Sequence, residues 1–345
     1  VLGISTYLSD VNELYLTQAA EYGASTVFTS LQIPEEGMCN VEERVMSVVN
    51  LCNQLELKMV PDVSPQTLEL LGTTRHNISS LKRLGIDSIR LDYGFNAFEE
   101  LKELQEHFRL ILNASVVTSE YVRHAQEEGL DCTKIVLLHN FYPHSDTGLG
   151  KEEFALKNKE LKSFGFRVQA FVPGDAKRRF PLFEALPTLE EHRNVNPLIA
   201  AVDLCENCFV DDVFIGDNQA LPTTLEEIAA YCTNNTISLH AHLRSGHEEL
   251  YNQSLRCRKD VSDSLVRLIT PRIPGIAQEL AEERMRGSIT QDNELAKRYS
   301  GEMSIVKKSL SGSARTNVIG FIDPRYLRLV DYIRGDHTII IKGLS

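Results

Sequence analysis

Several things are missing from this chain, and each absence closes off a class of function. No apolar run approaches the roughly 18 to 20 residues that a membrane span needs. The opening VLGISTYL has neither the charged n-region nor the small-residue cleavage site of a signal peptide. There is no HExxH, no GxxxxGKS/T and no GxGxxG, so the usual zinc-protease, P-loop and dinucleotide signatures are absent, and no metal or cofactor is expected. Basic charge is also short: 36 Lys and Arg stand against 48 Asp and Glu, a net charge of −12. Nucleic acids and anionic membranes both demand a basic footprint, so neither is an expected partner. Seven cysteines, an odd number scattered over 345 residues, make no disulfide framework and fit reduced thiols. The cytoplasm is the expected location. No internal repeat or low-complexity stretch is evident.

What is present reads as an ordinary globular chain, 42% apolar and 24% charged, long enough for one large domain and a smaller one. Eight β-type runs each precede helical sequence: LGISTYL, STVFTSL, MVPDV, SIRLDYG, LILNAS, KIVLLHNFYP, RVQAFVPGD and DDVFIGDNQA. Between them lie amphipathic stripes such as Val41, Val45, Val48, Val49 and Cys52, and a helix is predicted near Ser79 to Leu84. Near-continuous apolar strands joined by crossover helices mean a parallel sheet buried on both faces. Eight units in roughly 235 residues match a closed (β/α)8 TIM barrel, with a doubly wound open sheet as the competing topology. From residue 236 to 345 the texture changes to short β runs: ISLHAHL, DSLVRLI, EMSIVKKSL, NVIGFI, YLRLVDYI and HTIIIKG. One helix candidate lies there, between Ile276 and Arg286. These features predict an α/β barrel over 1–235 followed by a smaller, mostly antiparallel β domain over 236–345.

Barrel enzymes build their sites at the C-terminal ends of the strands. The polar residues closing the β runs are Ser5 and Tyr7, Ser30 with Glu35 and Glu36 beyond, Asp62, Asp92, Asn113, His139 with Asn140, Asp175, and Asp217 with Asn218 and Gln219. A mouth rich in carboxylates suits glycoside hydrolysis, in which one acid protonates the leaving oxygen and a second carboxylate acts as base or nucleophile. Asp62 and Asp92 form the leading catalytic pair and Asp217 the third candidate. The bland alternative for each is a helix cap. His139 and Asn140 are candidates to orient a sugar hydroxyl, His139 having a structural histidine as its alternative. Cys205-x-x-Cys208 has no second pair, and His240-x-His242 has no obvious third ligand, so neither reads as a metal site.

An acidic protein with an anionic substrate must concentrate its cations. The connection from Pro173 to Asp211, containing KRRFPLFEALPTLEEHR, is long enough to be a lid and carries Lys177, Arg178 and Arg179. Arg244, Arg272 and Arg315 follow in the second domain, and arginine suits bidentate phosphate recognition.

The combination LGISTYL, FTSLQIPEE, PDVSP, IRLDYGF, LNAS, HNFYP, FVPGD with LFEALPTLEEHR, and IGDNQA resembles the 6-phospho-N-acetylmuramidase (MupG-type) family, long labelled uncharacterised or "outer surface protein". The resemblance covers nearly the whole chain. It implies a TIM barrel joined to a cyclophilin-like β domain. It also implies a cytoplasmic exo-acting hydrolase of peptidoglycan recycling, cleaving the β-1,4 bond between 6-phospho-N-acetylmuramic acid and N-acetylglucosamine. The partner would be a small phosphorylated amino-sugar disaccharide. Against a glycine-rich form such as RGPLFEGLPTLE, this chain carries Phe180 and Ala185, a difference that bears on lid shape. The family pattern assigns no catalytic residues here, so the acid pair rests on the strand-end reading. Candidate substrate-binding residues are Ser5, Glu35, Asn113, His139, Asn140, Asn218, Arg178, Arg179, Arg244 and Arg315. The rival readings are a phosphosugar isomerase or lyase on the same barrel, for which no strand-end lysine is apparent, and a surface-displayed binding protein. Oligomeric state and stereochemical course are not legible.

Overall fold

The computed structural model describes residues 1–31, 41–70, 73–95, 97–260 and 262–344. The chain divides into two compact units, Val1–Ala229 and Ala230–Ser345. In the first, β1 (Leu2–Ser5), β2 (Ala24–Ser30), β3 (Lys58–Val63), β4 (Ser88–Leu91), β5 (Arg109–Asn113), β6 (Ile135–Leu138), β7 (Arg167–Val172) and β8 (Asp212–Ile215) close in sequence order into a barrel. All eight pairings are parallel, including β8 with β1. The helices are α1 (Glu13–Glu21), α2 (Val41–Gln54), α3 (Pro65–Leu70), α4 (Phe98–His107), α5 (Ser119–Glu127), α6 (Lys151–Ser163), α7 (Pro197–Cys208) and α8 (Pro222–Asn234). Their starts follow local chemistry. Asn12 accepts from the Tyr15 amide to cap α1, Thr118 accepts from the Tyr121 amide to cap α5, and Asn196 followed by Pro197 opens α7.

The helix predicted near Ser79 to Leu84 is instead a 3-10 element spanning Arg75–Leu84, with non-helical backbone at Asn77 and a left-handed Gly85 closing it. Ten residues between flanking segments with an interrupted apolar stripe wind more tightly than an α-helix.

Side chains of a strand alternate in direction, so every second residue faces the barrel interior. On β3 these are Lys58, Val60 and Asp62, and on β4 Ser88 and Arg90, with Asp92 next in phase. The middle of the barrel is an apolar plug of Phe28, Val60, Ile111, Val136, Leu138, Phe171 and Phe214, all essentially buried. Each such side chain stabilises by roughly 1.5–3 kcal/mol on burial. Phe171 meets Phe28, Phe141 and Phe214 with centroids 5.3, 5.1 and 5.7 Å apart, the first two edge to face. This aromatic cluster forms the floor on which the C-terminal mouth stands.

In the second unit, β9 (Thr236–Leu243), β10 (Ser254–Arg256), β11 (Leu265–Arg267), β12 (Ser288–Asp292), β13 (Met303–Val306), β14 (Thr316–Ile322) and β15 (Thr338–Lys342) form one sheet in the order β10-β15-β9-β14-β12-β13-β11. Its pairings are antiparallel except β15 with β9. Two expectations are corrected here. YLRLVDYI is no strand: Pro324–Asp331 is a 3-10 turn, begun by Asp323, whose carboxylate accepts from the Arg325 amide. Residues 276–286 are no helix either. The Glu279 amide donates to Asn317 Oδ1, Asn317 Nδ2 donates to the Ala277 carbonyl, and Arg284 bridges Leu310, so tertiary partners hold a helix-forming sequence extended.

Candidate active site

At the C-terminal end of the strands a cavity of ≈ 280 Å³ is lined by Phe28, Ser30, Asp62, Arg90, Asp92, Asn140, Phe141, Phe171 and Arg179. The strand-end rule had named Ser30, Asp62, Asp92 and Asn140, and the lid reading Arg179. The residue it missed sits at the centre. Arg90 Nη1 donates to Asp62 Oδ1 at 2.6 Å and lies 3.7 Å from Asp92 Oδ1, while Nη2 donates to Asn140 Oδ1. Its Nε is buried with no hydrogen-bond partner among the described residues. Two sequence signals mark Arg90: a cation inside the apolar run SIRLDYG, and a spacing of two from Asp92, which puts both on one face of the strand.

The frame that holds these groups is backbone ladder. Asp62 on β3 is the register partner of both Ser30 on β2 and Arg90 on β4. The Asp92 amide donates to the Val63 carbonyl at 3.1 Å, which extends the β3–β4 ladder past the end of β4. Burial against the aromatic floor pushes the Asp62 carboxyl up to about 6; the Arg90 charge pulls it down and the Asp92 charge pushes it further up. A carboxyl poised there is able to give and take a proton near neutrality.

Arg179 comes from the connection between β7 and α7. Its guanidinium lies 4.1 Å over the ring of Tyr7 and 5.9 Å from that of Phe141. Asp217 anchors this connection. It is fully buried, Oδ2 accepting from the Gly174 and Leu186 amides at 2.8 and 3.2 Å and Oδ1 from the Arg179 amide at 3.1 Å. Burial nevertheless lifts its carboxyl above the ordinary range, against those three donors and the Arg178 charge. Asp217 thus holds backbone outside the cavity lining and does not meet Asp62 and Asp92 there. Close packing reinforces the clamp. A Cβ on Gly216 would stand 2.3 Å from the Leu186 carbonyl oxygen, and one on Gly174 2.4 Å from that of Gln219. Tyr7 Oη donates to the Gly216 carbonyl at 2.6 Å. Ala185, one of the two departures from the glycine-rich form, has φ 72°, a left-handed conformation that favours glycine.

A second cation fixes the far side of the same connection. Arg193 is buried and donates to the Tyr142, His144 and Ala185 carbonyls at 2.9, 3.0 and 3.0 Å and to both Glu190 oxygens at 2.6 Å. It joins the β6–α6 loop to the β7–α7 connection.

The remaining candidates lie elsewhere. His139 is buried with Nε2 2.7 Å from Asn158 Oδ1 and its ring 4.4 Å from that of Phe154, and burial pushes its pKa down to about 4. It faces α6, opposite to Asn140. Asn113 Oδ1 accepts from the Ser115 amide at 3.0 Å in its own turn. Ser5 is fully buried beside Phe28, its hydroxyl without a hydrogen-bond partner among the described residues. Asn218 Nδ2 donates to Asp10, and Lys177 pairs with Asp10 at 2.6 Å. Asp175 accepts from the Leu221 amide and the Thr224 hydroxyl at 2.8 and 2.6 Å, capping α8. Arg178 is half-buried and outside the cavity lining. Glu35 and Glu36 lie outside the described residues. Arg244 and Arg315 belong to the second unit, Arg244 being paired bidentately with Glu282 at 2.5 and 2.9 Å.

Among the described residues, the one grouping of three metal-type ligands is Glu191, His192 and Asp203. Asp203 there already accepts from Lys151, Asn207 and His192, so a cation has been supplied by the chain itself. The described cysteines form no disulfide, and no described helix is long and apolar enough to cross a membrane.

A closed (β/α)8 barrel whose mouth gathers two carboxylates, an amide and two arginines around an aromatic floor has the architecture of a barrel enzyme. The comparisons with known proteins narrow the class. Residues 2–230 match the N-terminal and residues 236–342 the C-terminal part of 6-phospho-N-acetylmuramidase, so the chain belongs to that family and is a glycosidase. It is similar over 100% of its length to 97% of a crystal structure described as a conserved protein from a locus in Enterococcus faecalis with an unknown function, at 29% identity and TM-score 0.85. An uncharacterized B. cereus protein shares the fold at 24% identity and TM-score 0.79, with 99% of this chain and 98% of that one covered. No curated protein matches.

Proposed function

We propose that the protein hydrolyses the β-1,4 bond of 6-phospho-N-acetylmuramic acid linked to N-acetylglucosamine, releasing the two sugars during peptidoglycan recycling in the cytoplasm. The observation that carries this reading is the Asp62–Arg90–Asp92 cluster in the cavity at the barrel mouth, set beside the family membership. Glycoside cleavage needs one carboxyl that donates a proton and one that stays charged. Burial has driven Asp62 toward the first role. Asn140 and Ser30 offer hydrogen bonds to sugar hydroxyls, and Phe141 an apolar face.

Arg179 is the leading anchor for the substrate's anionic groups, because its guanidinium borders the cavity and cation–π contact with Tyr7 fixes its plane. Arg178 is the second choice. Asp217 then serves as a positioning residue, holding the connection that delivers Arg179. The chemistry is assigned to the barrel domain, 1–235, and the β domain, 236–345, is read as the cyclophilin-like domain of the family.

Purified protein should release N-acetylglucosamine from the 6-phosphorylated disaccharide and not from its unphosphorylated counterpart. No release from either would remove this function; equal release from both would remove the phosphate anchor.

A further inference from the structure

We propose that hydrolysis proceeds with retention at the anomeric carbon, Asp92 acting as nucleophile and Asp62 as proton donor and then base, with Arg90 fixing the distance between them. This rests on the glycosidase reading above and adds its stereochemical course.

Three observations carry it. The first is spacing. Asp62 Oδ1 and Asp92 Oδ1 lie 2.6 and 3.7 Å from the same Arg90 nitrogen. Even laid end to end, those two legs fall short of the roughly 6.5–9.5 Å between the carboxyls of inverting pairs. Retaining pairs stand about 5–5.5 Å apart, a separation within the reach of these two legs. The second is bridging. One nitrogen of a buried guanidinium serves both carboxylates, which holds the pair at short range rather than letting it spread to the span of an inverting pair. The third is access. The Asp92 side chain is 33% exposed and open to an incoming sugar, whereas Asp62 is 10% exposed, in a setting that favours its neutral form.

In the first step an Asp92 carboxylate oxygen bonds to C1 of the phosphomuramyl ring as the C1–O bond breaks. The bonding pair leaves on O4 of N-acetylglucosamine, which takes the proton from Asp62. In the second step Asp62, now a carboxylate, removes a proton from water; the water oxygen bonds to C1 and the C1–Asp92 bond breaks, returning both groups to their starting states. Nothing else is consumed.

Proton NMR of the wild-type reaction tests the course without any variant. The β anomer of 6-phospho-N-acetylmuramic acid is expected first, relaxing later to the mixture; the α anomer first would overturn the proposal and leave the glycosidase reading intact. Absence of cleavage would overturn both. For the roles, Asp92→Gly supplied with azide should regain turnover and form the α-glycosyl azide, and Asp62→Gly the β-glycosyl azide. β-first product with an Asp92→Gly enzyme that keeps wild-type turnover would assign the attack to the substrate's own acetamido group and overturn the role given to Asp92. Near-ultraviolet circular dichroism of Asp92→Asn separates a lost fold from a lost nucleophile.

Discussion

Replacing Arg90 by methionine removes the guanidinium while keeping most of the side-chain volume, and the structure sets how the fold should respond. In the wild type, burial holds Asp62 near 6 although Arg90 is hydrogen-bonded to it at 2.6 Å. An adjacent opposite charge lowers a carboxyl's pKa by about 1–3, so losing it lifts Asp62 by that amount. A carboxyl whose folded pKa is raised contributes stability fully present below its unfolded pKa of 3.8, lost as pH rises through the folded pKa. In the wild type that loss is complete a little above pH 6. In Arg90→Met it continues upward, because Asp62 stays protonated longer and resists ionising.

The variant is therefore expected to lose about 1–3 kcal/mol more stability at pH 8 than at pH 5, at roughly 1.4 kcal/mol per pKa unit. On top of this lies a pH-independent penalty of about 1–3 kcal/mol from the Asn140 amide oxygen losing its donor. Urea denaturation of both proteins at pH 5 and pH 8 measures the difference. Under the proton-donor role proposed for Asp62, the alkaline limb of the activity profile should move upward in the residual activity of the variant. A destabilisation equal at the two pH values, or larger at pH 5, would refute the idea that Arg90 governs the charge on Asp62.

Asp217→Asn keeps one acceptor for three backbone amides, so the connection should loosen by about 1–3 kcal/mol and KM should rise more than kcat falls, because Arg179 is delivered through that clamp; a kcat-only defect would place Asp217 in the chemistry. Gly216→Ala forces a methyl against the Leu186 carbonyl and should cost about 1–3 kcal/mol in thermal denaturation, with an unchanged Tm removing the claim of close packing there. His139 titrates near 4 when folded against 6.5 unfolded, so it weakens the fold as pH falls from 6.5 toward 4, by about 3 kcal/mol in full. His139→Gln should blunt that acid sensitivity while leaving neutral-pH turnover within a few-fold; a collapse of turnover in a folded variant would return His139 to the site.

The barrel was legible because parallel strands buried on both faces leave near-continuous apolar runs, and all eight were readable as such. The second sheet was less so. β10 and β11 are three residues each, too short for a pattern, and the alternation in YLRLVDYI fits a 3-10 turn as well as a strand. At the site, the strand-end rule selects residue types near the mouth but not the direction in which each points. His139 and Asn140 are neighbours in sequence, and the pleat sends the first toward α6 and the second to Arg90. Arg90 lies inside β4, two positions before Asp92 on the same face, where a pattern of strand-end residues does not reach. Asp217 is a strand-end carboxylate like Asp62, yet its partners are amides 31 to 43 residues away in a connection whose path no local pattern encodes.

The same aromatic floor that closes the barrel also shapes its chemistry. Phe28, Phe171 and Phe141 line the cavity with Asp62, and burial there is the main reason its carboxyl is pushed up to about 6. Holding that carboxylate ionised in the folded protein costs about 3 kcal/mol. An exposed Asp62 would relieve the fold of this cost, but a far smaller fraction of its carboxyl would carry a proton near neutral pH. Arg90 answers the opposite hazard. Without that cation, nothing would offset the push of the Asp92 charge on Asp62, whose carboxyl would rise further. One buried guanidinium thus bridges both carboxylates of the cavity, within the strand whose end carries Asp92.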